Sequence, residues 1–348
     1  MTGLEGVVVA DTELSLVDGA NGELVVRGMP VRALAARARL EDAMALLWYG
    51  DLSRAEGLRA ELGEARVRVR DSLGAWRHLP DAVATMRAAL APLEGATPVE
   101  LVAAAGEVLV GWSLTERGEA ATESAEPDPT AWHADDLVRR LRGGPRPALA
   151  RALGAYLCTV ADHGMNASTV TARVVASTGS DDTSAVVAAI GALKGPLHGG
   201  APGPVLDMLD AIGSPERAEA WVEAELAAGR RIMGIGHRIY KVRDPRVAVL
   251  EEALADLVRA GEAQDALSLA RAVERAAVAA LERRKPGRGL AANVEFATAV
   301  LLDAVGLDRR AFTAAFAAGR VVGWLAHVAE QRRTGRLIRP QSNYVGPR

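Results

Sequence analysis

The chain has 348 residues, 49% of them hydrophobic and 24% charged, with 41 basic against 44 acidic side chains and a net charge of −3. So even a balance leaves no broad basic field for nucleic acid, and the length suffices for about two hydrophobic cores. The single cysteine, Cys158, excludes an internal disulfide framework and fits a reducing compartment.

Phe, Tyr and Trp make up only 4% of the residues while Ala and Leu dominate, which points to helix packed on helix. No uninterrupted apolar run reaches the roughly 18 residues of a membrane span. The opening Met1-Thr2-Gly3-Leu4-Glu5 lacks the basic and apolar regions of a secretory signal. A cytoplasmic protein, with neither membrane nor nucleic acid as partner, is the expectation.

Strand material is confined to residues 4–27, where Val7-Val8-Val9 and Leu24-Val25-Val26 flank the turn-rich Asp18-Gly19-Ala20-Asn21-Gly22 and predict a small hairpin. Helical spacing follows. Leu40, Ala43, Met44 and Leu47 fall on one face, and the run stops at Gly50. Ser53 with Glu56 reads as a capping box, and Thr97-Pro98-Val99-Glu100 as a fuller one with proline at the first helical position. Residues 116–130 are acidic and rich in Pro, Ser and Thr, hence a surface loop.

Further helices are expected at about 147–161, 166–177, 184–193, 203–212, 215–228, 247–259, 263–284, 294–305 and 308–333. Gly195-Pro196 stops one of them and leaves His198 in a loop. Asp244-Pro245 is a cap and first-turn pair that puts Arg246 at a helix start, where free N–H groups would add to its pull on an anion. The tail from Leu337 has no helical period and is expected to be extended. With no repeat and no low-complexity linker, a second domain would have to be an insertion in the helical array.

The chemistry concentrates in three stretches: Gly195-Pro196-Leu197-His198-Gly199-Gly200-Ala201, Gly234-Ile235-Gly236-His237-Arg238 running on to Asp244-Pro245-Arg246, and Asn293-Val294-Glu295-Phe296. Two set a histidine among glycines, where backbone can approach a ligand closely, and the third offers a carboxylate. Two imidazoles and a carboxylate suffice for proton transfer at two carbonyl centres. Three other histidines, His78, His133 and His327, are read as structural or exposed. Arg246, Arg320 and Arg339 are candidate forks for a small dicarboxylate, since the planar guanidinium pairs a carboxylate bidentately. No metal-ligand spacing, Walker lysine motif or nucleophile elbow occurs.

These motifs resemble the citrate synthases of the short bacterial type, and the likeness spans nearly the whole chain. It runs from Gly3-Leu4-Glu5-Gly6-Val7-Val8 and Leu46-Leu47-Trp48-Tyr49-Gly50 through Asp162-His163-Gly164-Met165-Asn166-Ala167-Ser168 and the two histidine loops. It ends with Ile338-Arg339-Pro340 and Tyr344-Val345-Gly346-Pro347. The resemblance implies an all-α homodimer whose large domain (1–200 and 306–348) carries an inserted smaller one (201–305), with a cleft that closes on oxaloacetate. The long N-terminal extension of the larger, NADH-regulated forms is missing from this sequence, which favours the simple dimer.

Carried over by motif, His198 would polarise the thioester carbonyl of acetyl-CoA while Glu295 removes a methyl proton. His237 would protonate the keto oxygen of oxaloacetate as the enol attacks it, and citryl-CoA would then be hydrolysed. His163, His237, Arg246, Arg320 and, from the partner's tail, Arg339 would hold oxaloacetate; Lys241 and Asn293 would contact CoA. No permanent cofactor and no metal is implied. The family's base is usually Asp, so Glu295 is a departure: one more C–C bond adds about 1.5 Å of reach. The run Phe296-Ala297-Thr298-Ala299 also lacks the usual aromatic-Ser-Gly. Two alternatives stand beside citrate synthase: a 2-methylcitrate synthase using propionyl-CoA, and a non-catalytic homologue that binds a metabolite.

Overall fold

The computed structural model describes residues 6–73, 78–119, 126–199, 202–236, 244–284, 286–287 and 292–347. The N-terminal hairpin is present, with one strand displaced from the expected place. β1 (Ser15–Asp18) pairs antiparallel with β2 (Glu23–Val26), Asp18 opposite Glu23, and β3 (Met29–Pro30) adds to the other side of β2. Val7-Val8-Val9 is solvent-exposed and outside the sheet. The turn decides this. Asp18 Oδ1 accepts from the N–H groups of Ala20 and Asn21 at 2.9 and 3.0 Å, and so tight a reversal pairs only the residues directly flanking it.

Beyond the hairpin the extended elements of the described residues end and helices take over. They are α1 (Val31–Ala35), α2 (Leu40–Tyr49), α3 (Ala55–Leu73), α4 (Ala82–Leu90), α5 (Pro98–Glu116), α6 (His133–Leu141), α7 (Pro147–Val160) and α8 (Ala167–Ser177). The second half adds α9 (Asp182–Leu193), α10 (Pro202–Ile212), α11 (Ala218–Ala227), α12 (Pro245–Arg259), α13 (Gln264–Arg284), α14 (Val294–Val305) and α15 (Phe312–Thr334). The architecture is all-α with one small sheet, and past Pro30 the one extended pairing among the described residues is a bridge between Ile235 and Ala292.

Local signals explain most boundaries. The Thr97–Glu100 box is reciprocal: Thr97 Oγ1 accepts from Glu100 N–H at 3.2 Å, and Glu100 Oε2 accepts from Thr97 N–H at 2.9 Å. The Ser53–Glu56 box does not form. The chain enters α3 through a 3-10 turn over Leu52–Arg54, so the cap falls earlier, on Asp51, whose carboxylate accepts from Ser53 N–H at 2.9 Å. Glu56 pairs with Arg59 instead, at 3.0 Å.

Helix α15 is the axis of the core and packs against α2, α4, α5, α7, α8 and α9. Trp112 and Trp324 are fully buried, and their ring N–H groups donate to the Leu79 carbonyl (2.8 Å) and to Ser168 Oγ (3.2 Å). By length and composition, α5 and the stretch Arg309–Arg333 are apolar enough to cross a membrane, a signal that a search for uninterrupted runs misses, but both lie mostly buried against neighbouring helices. Helices α10, α11, α13 and α14 pack largely among themselves, α11 on α13 and α10 on α14, and α12 rests on α14. Helix α12 also lies along α7, and this contact carries Arg246 to the site.

Candidate active site

A cavity of about 160 Å³ opens where α7, α8, α12, α14 and α15 meet the turn at 195–199. Its wall includes His163, His198, Arg246, Glu295 and Arg320, five of the residues singled out from sequence. Each arrives by a different local device.

Helix α7 supplies Tyr156 and Val160, and the turn past its end supplies His163. Gly164 takes the left-handed backbone (φ 59°) there, while Asn166 starts α8 by accepting from Thr169 N–H at 3.1 Å. Across the cavity, α15 reaches this turn only because two of its residues lack side chains. A Cβ at Gly319 would sit 2.6 Å from Val160 Cγ2, and one at Gly323 only 2.1 Å from the Ala161 carbonyl oxygen. Between them stands Arg320, buried, its Nε donating to the Val160 carbonyl at 2.5 Å.

His198 sits in a turn closed by its own N–H to Gly195 O and by Gly199 N–H to Leu193 O, both 2.9 Å. Its Nε2 lies 2.9 Å from Ser168 Oγ. That hydroxyl is also 2.8 Å from Asn166 Oδ1, which is held as an acceptor by the Thr169 N–H, and it receives the Trp324 N–H. The hydroxyl proton therefore goes to Asn166, and its remaining lone pair is left for a proton on His198 Nε2. Burial, reinforced by the charge of Arg320, pushes the imidazole pKa down to about 4, so the ring is neutral near pH 7.

The α12 start has the expected cap and first-turn proline. Asp244 caps it, accepting from Arg246 N–H at 3.0 Å, and the same carboxylate takes the Arg246 guanidinium through Nη2 (2.7 Å) and Nε (3.0 Å). Arg246 thus reaches the cavity wall already paired with a carboxylate two residues away in sequence. Arg320 keeps its charge, with its pKa lowered to about 10 by burial, against the pull of Asp162. Asp162, fully buried, is held well below the usual carboxylate range. Burial alone would raise it; the electrostatic pull and hydrogen bond of His327 (3.1 Å), the charge of Arg320 and the hydrogen bond from Ser15 (2.5 Å) outweigh that.

Glu295 lies in the first turn of α14, where the helix dipole favours a carboxylate. It is half-buried, and its Oε2 is sealed from solvent without a hydrogen-bond partner among the described residues. Asn293 forms the cap, its Oδ1 accepting from the N–H groups of Glu295 (3.1 Å) and Phe296 (3.3 Å), and its amide donates to Gly236 O at 2.9 Å. It thus ties α14 to the glycine loop and does not line the cavity. Arg339 lies exposed in the tail, away from the cavity wall. His237 and Lys241 lie outside the described residues.

Sequence reasoning missed Tyr156, Phe316 and Thr298, which line the cavity, and Ser168 and Asp162, which back it. Asp162, Asn166 and Ser168 belong to a stretch already marked as a motif, so their neighbourhood was signalled even though their roles were not. Nothing in the apolar runs around Tyr156 or Phe316 distinguishes them from core.

The family model described as "Citrate synthase, C-terminal domain" matches residues 3–341. A putative citrate synthase 2 of Mycobacterium tuberculosis is 37% identical, with 99% of this chain and 92% of that protein covered. The citrate synthase of Deinococcus radiodurans is 34% identical (99% and 96% covered), and a 2-methylcitrate synthase of Mycobacterium tuberculosis is 36% identical (99% and 90% covered). Among solved structures, the citrate synthase of Thermotoga maritima superposes with a TM-score of 0.83 at 32% identity, covering 99% of this chain and 96% of that one. That of Thermoplasma acidophilum, solved as a ternary complex with carboxymethyl coenzyme A and oxaloacetate, superposes with a TM-score of 0.84 at 28% identity, covering 99% of this chain and 96% of that one.

Proposed function

The chain belongs to the citrate synthase family, an acyltransferase that condenses acetyl-CoA with oxaloacetate to give citrate and CoA, and we propose how its residues divide that work. Glu295 is the base that takes a proton from the acyl methyl group. The observation that carries this is its Oε2: a carboxylate oxygen shut away from water, without a partner among the described residues, on the wall of a cavity that two guanidiniums and a neutral imidazole share. An oxygen left unpaired in that setting is a strong acceptor for a proton delivered by substrate.

His198, neutral, polarises the thioester carbonyl. Its single proton rests on Nε2 toward Ser168, so donation from Nδ1 requires the other tautomer, with the proton on Nδ1 and Nε2 accepting from a Ser168 hydroxyl turned away from Asn166. A thioester methyl is a very weak acid, so base and electrophile must act together. The enol carbon then bonds to the keto carbon of oxaloacetate, whose oxygen gains a proton from His237, and water cleaves the citryl thioester. Arg320 and Arg246 bind the carboxylates beside His163, with Arg339 added from a partner subunit's tail. Lys241 and Asn293 contribute to the CoA site, Asn293 by holding α14 and the glycine loop together. CoA enters as part of a substrate, with no resident cofactor.

The same reading makes the protein a cytoplasmic homodimer in which residues 201–305 close over oxaloacetate. Propionyl-CoA is the second substrate to consider, because a 2-methylcitrate synthase matches about as well as the citrate synthases do. One methylene in an apolar pocket discriminates by only about 1–3 kcal/mol. The test mixes purified protein with oxaloacetate and either thioester and follows free CoA with a thiol reagent. Oxaloacetate-dependent release that is faster with acetyl-CoA supports the reading, faster release with propionyl-CoA assigns the methylcitrate reaction, and no release with either overturns both.

A further inference from the structure

Three polar groups surround the Ser168 hydroxyl and fix how it can be used. It is buried in the first turn of α8, with Asn166 Oδ1 at 2.8 Å, His198 Nε2 at 2.9 Å and the Trp324 ring nitrogen at 3.2 Å. Trp324 comes from α15, one helical turn beyond Arg320, and is itself fully buried. The condensation reading gives it no task.

An indole N–H only donates, whereas a serine oxygen offers one proton and two lone pairs. Trp324 therefore takes one lone pair in every case, and two arrangements remain. In the first, the hydroxyl donates to Asn166 and its second lone pair accepts the His198 Nε2 proton. In the second, the hydroxyl donates to Nε2 and the single ring proton sits on Nδ1, while Asn166 Oδ1 keeps the Thr169 N–H at 3.1 Å. Only the second lets His198 donate from Nδ1.

Removing the indole N–H would change the two arrangements unequally. In the first, the serine oxygen would still accept from His198. In the second, it would be a buried oxygen accepting from none of these groups, which is costly. With Trp324 in place the oxygen has a donor in both, and that donor polarises the hydroxyl and strengthens the bond it gives to the ring.

We propose that Trp324 is a positioning residue for His198: its N–H holds the Ser168 oxygen so that the hydroxyl can give its proton to Nε2, leaving the Nδ1–H tautomer for the substrate. The inference rests on the reading that His198 polarises the thioester. CoA release by the unaltered chain tests that reading by itself, whereas a comparison of variants tests this one.

The experiment measures kcat and KM for oxaloacetate-dependent CoA release in the full chain, with thermal melts alongside. The variants are Trp324→Phe, Trp324→His, Ser168→Ala, and Ser168→Ala combined with Trp324→Phe. Trp324→Phe keeps an apolar ring without the donor. Trp324→His loses the benzene half but can carry an N–H at the same position of the five-membered ring. In Trp324→Phe, kcat should fall about tenfold or more while the KM for oxaloacetate stays within about twofold; in Trp324→His, kcat should stay within about threefold of the unaltered chain. On top of Ser168→Ala, Trp324→Phe should cost less than about a further twofold, since the indole acts only through the hydroxyl. A merely structural role would rank the Phe variant above the His variant in both melts and kcat, and the effects at 168 and 324 would multiply. Either of those results in folded chains would overturn the proposal. Should Trp324→Phe not fold, Trp324→His decides alone: kcat within about threefold supports the proposal, and a tenfold loss overturns it.

Discussion

Gly323 and Asp162 are in near contact across the base of the cavity: a Cβ at 323 would come within 2.8 Å of Asp162 Oδ1 and 2.1 Å of the preceding carbonyl oxygen. The closeness of α15 to the end of α7 thus depends on a missing methyl group, and with it the distance from Arg320 to the site. Gly323→Ala should destabilise the protein by about 1–3 kcal/mol, the usual cost of overpacking. Chemical denaturation would measure it. Oxaloacetate affinity should fall in the same variant at temperatures where it stays folded, since the helix must back away from the turn that carries His163.

Glu295→Gln should lower CoA release by about 10²–10⁴-fold, the range attributed to a positioned proton-transfer group, without loss of oxaloacetate binding. Retention of full turnover would assign the base to another residue. Glu295→Asp is the finer test. The cavity is built around the longer acid, so shortening it by about 1.5 Å should cost on the order of a hundredfold in kcat, even though aspartate is the family's usual choice.

Arg339 offers a test of subunit sharing. Mixed and refolded, Arg339→Ala and Glu295→Gln chains form a mixed dimer in which one site carries both lesions and the other none. If the tail serves the partner's site, about a quarter of the unaltered activity should return, as random pairing in a twofold dimer requires. A mixture no more active than its two components would keep Arg339 within its own subunit or outside the reaction.

Far from the site, Glu41 is fully buried between helices, with Oε1 accepting from His133 N–H at 2.7 Å and Oε2 without a partner among the described residues. Burial pushes its pKa up to about 7, against an unfolded value near 4.3. The native state therefore holds a proton that the unfolded chain releases between those values. The contribution to stability is present in full below about pH 4.3 and is lost as pH rises through about 7. Glu41→Gln removes that dependence, and its advantage over the unaltered chain should grow from pH 4.5 to pH 8, reaching on the order of 3 kcal/mol. Melting curves at several pH values would check it, and a constant offset would refute it.

Much was legible in the chain alone because its signals are local. Thr97–Glu100, Gly50 and Asp244-Pro245 mark helix ends through contacts a few residues apart, and they do so in the structure. The histidine and carboxylate stretches likewise announced His163, His198, Arg246 and Glu295, while Arg320 was marked as a guanidinium on an otherwise small and apolar helix. Where local signals competed, sequence misled: β-branched Val7-Val8-Val9 looked like a strand, but the Asp18 turn chose its own neighbours, and Asp51 took the cap offered to Ser53.

Tertiary structure alone decided what stands behind those residues. Asp162 and His327 are 165 positions apart, as Arg173 and Gln331 are 158 apart, and no periodicity relates them. Nor could composition tell that Gly319 and Gly323 press α15 onto α7, or that Tyr156 and Phe316 face a cavity instead of the core. The reason is physical: caps and turns are satisfied within one or two helical turns of backbone, whereas a buried charge is stabilised by whichever partner packing brings within about 3 Å.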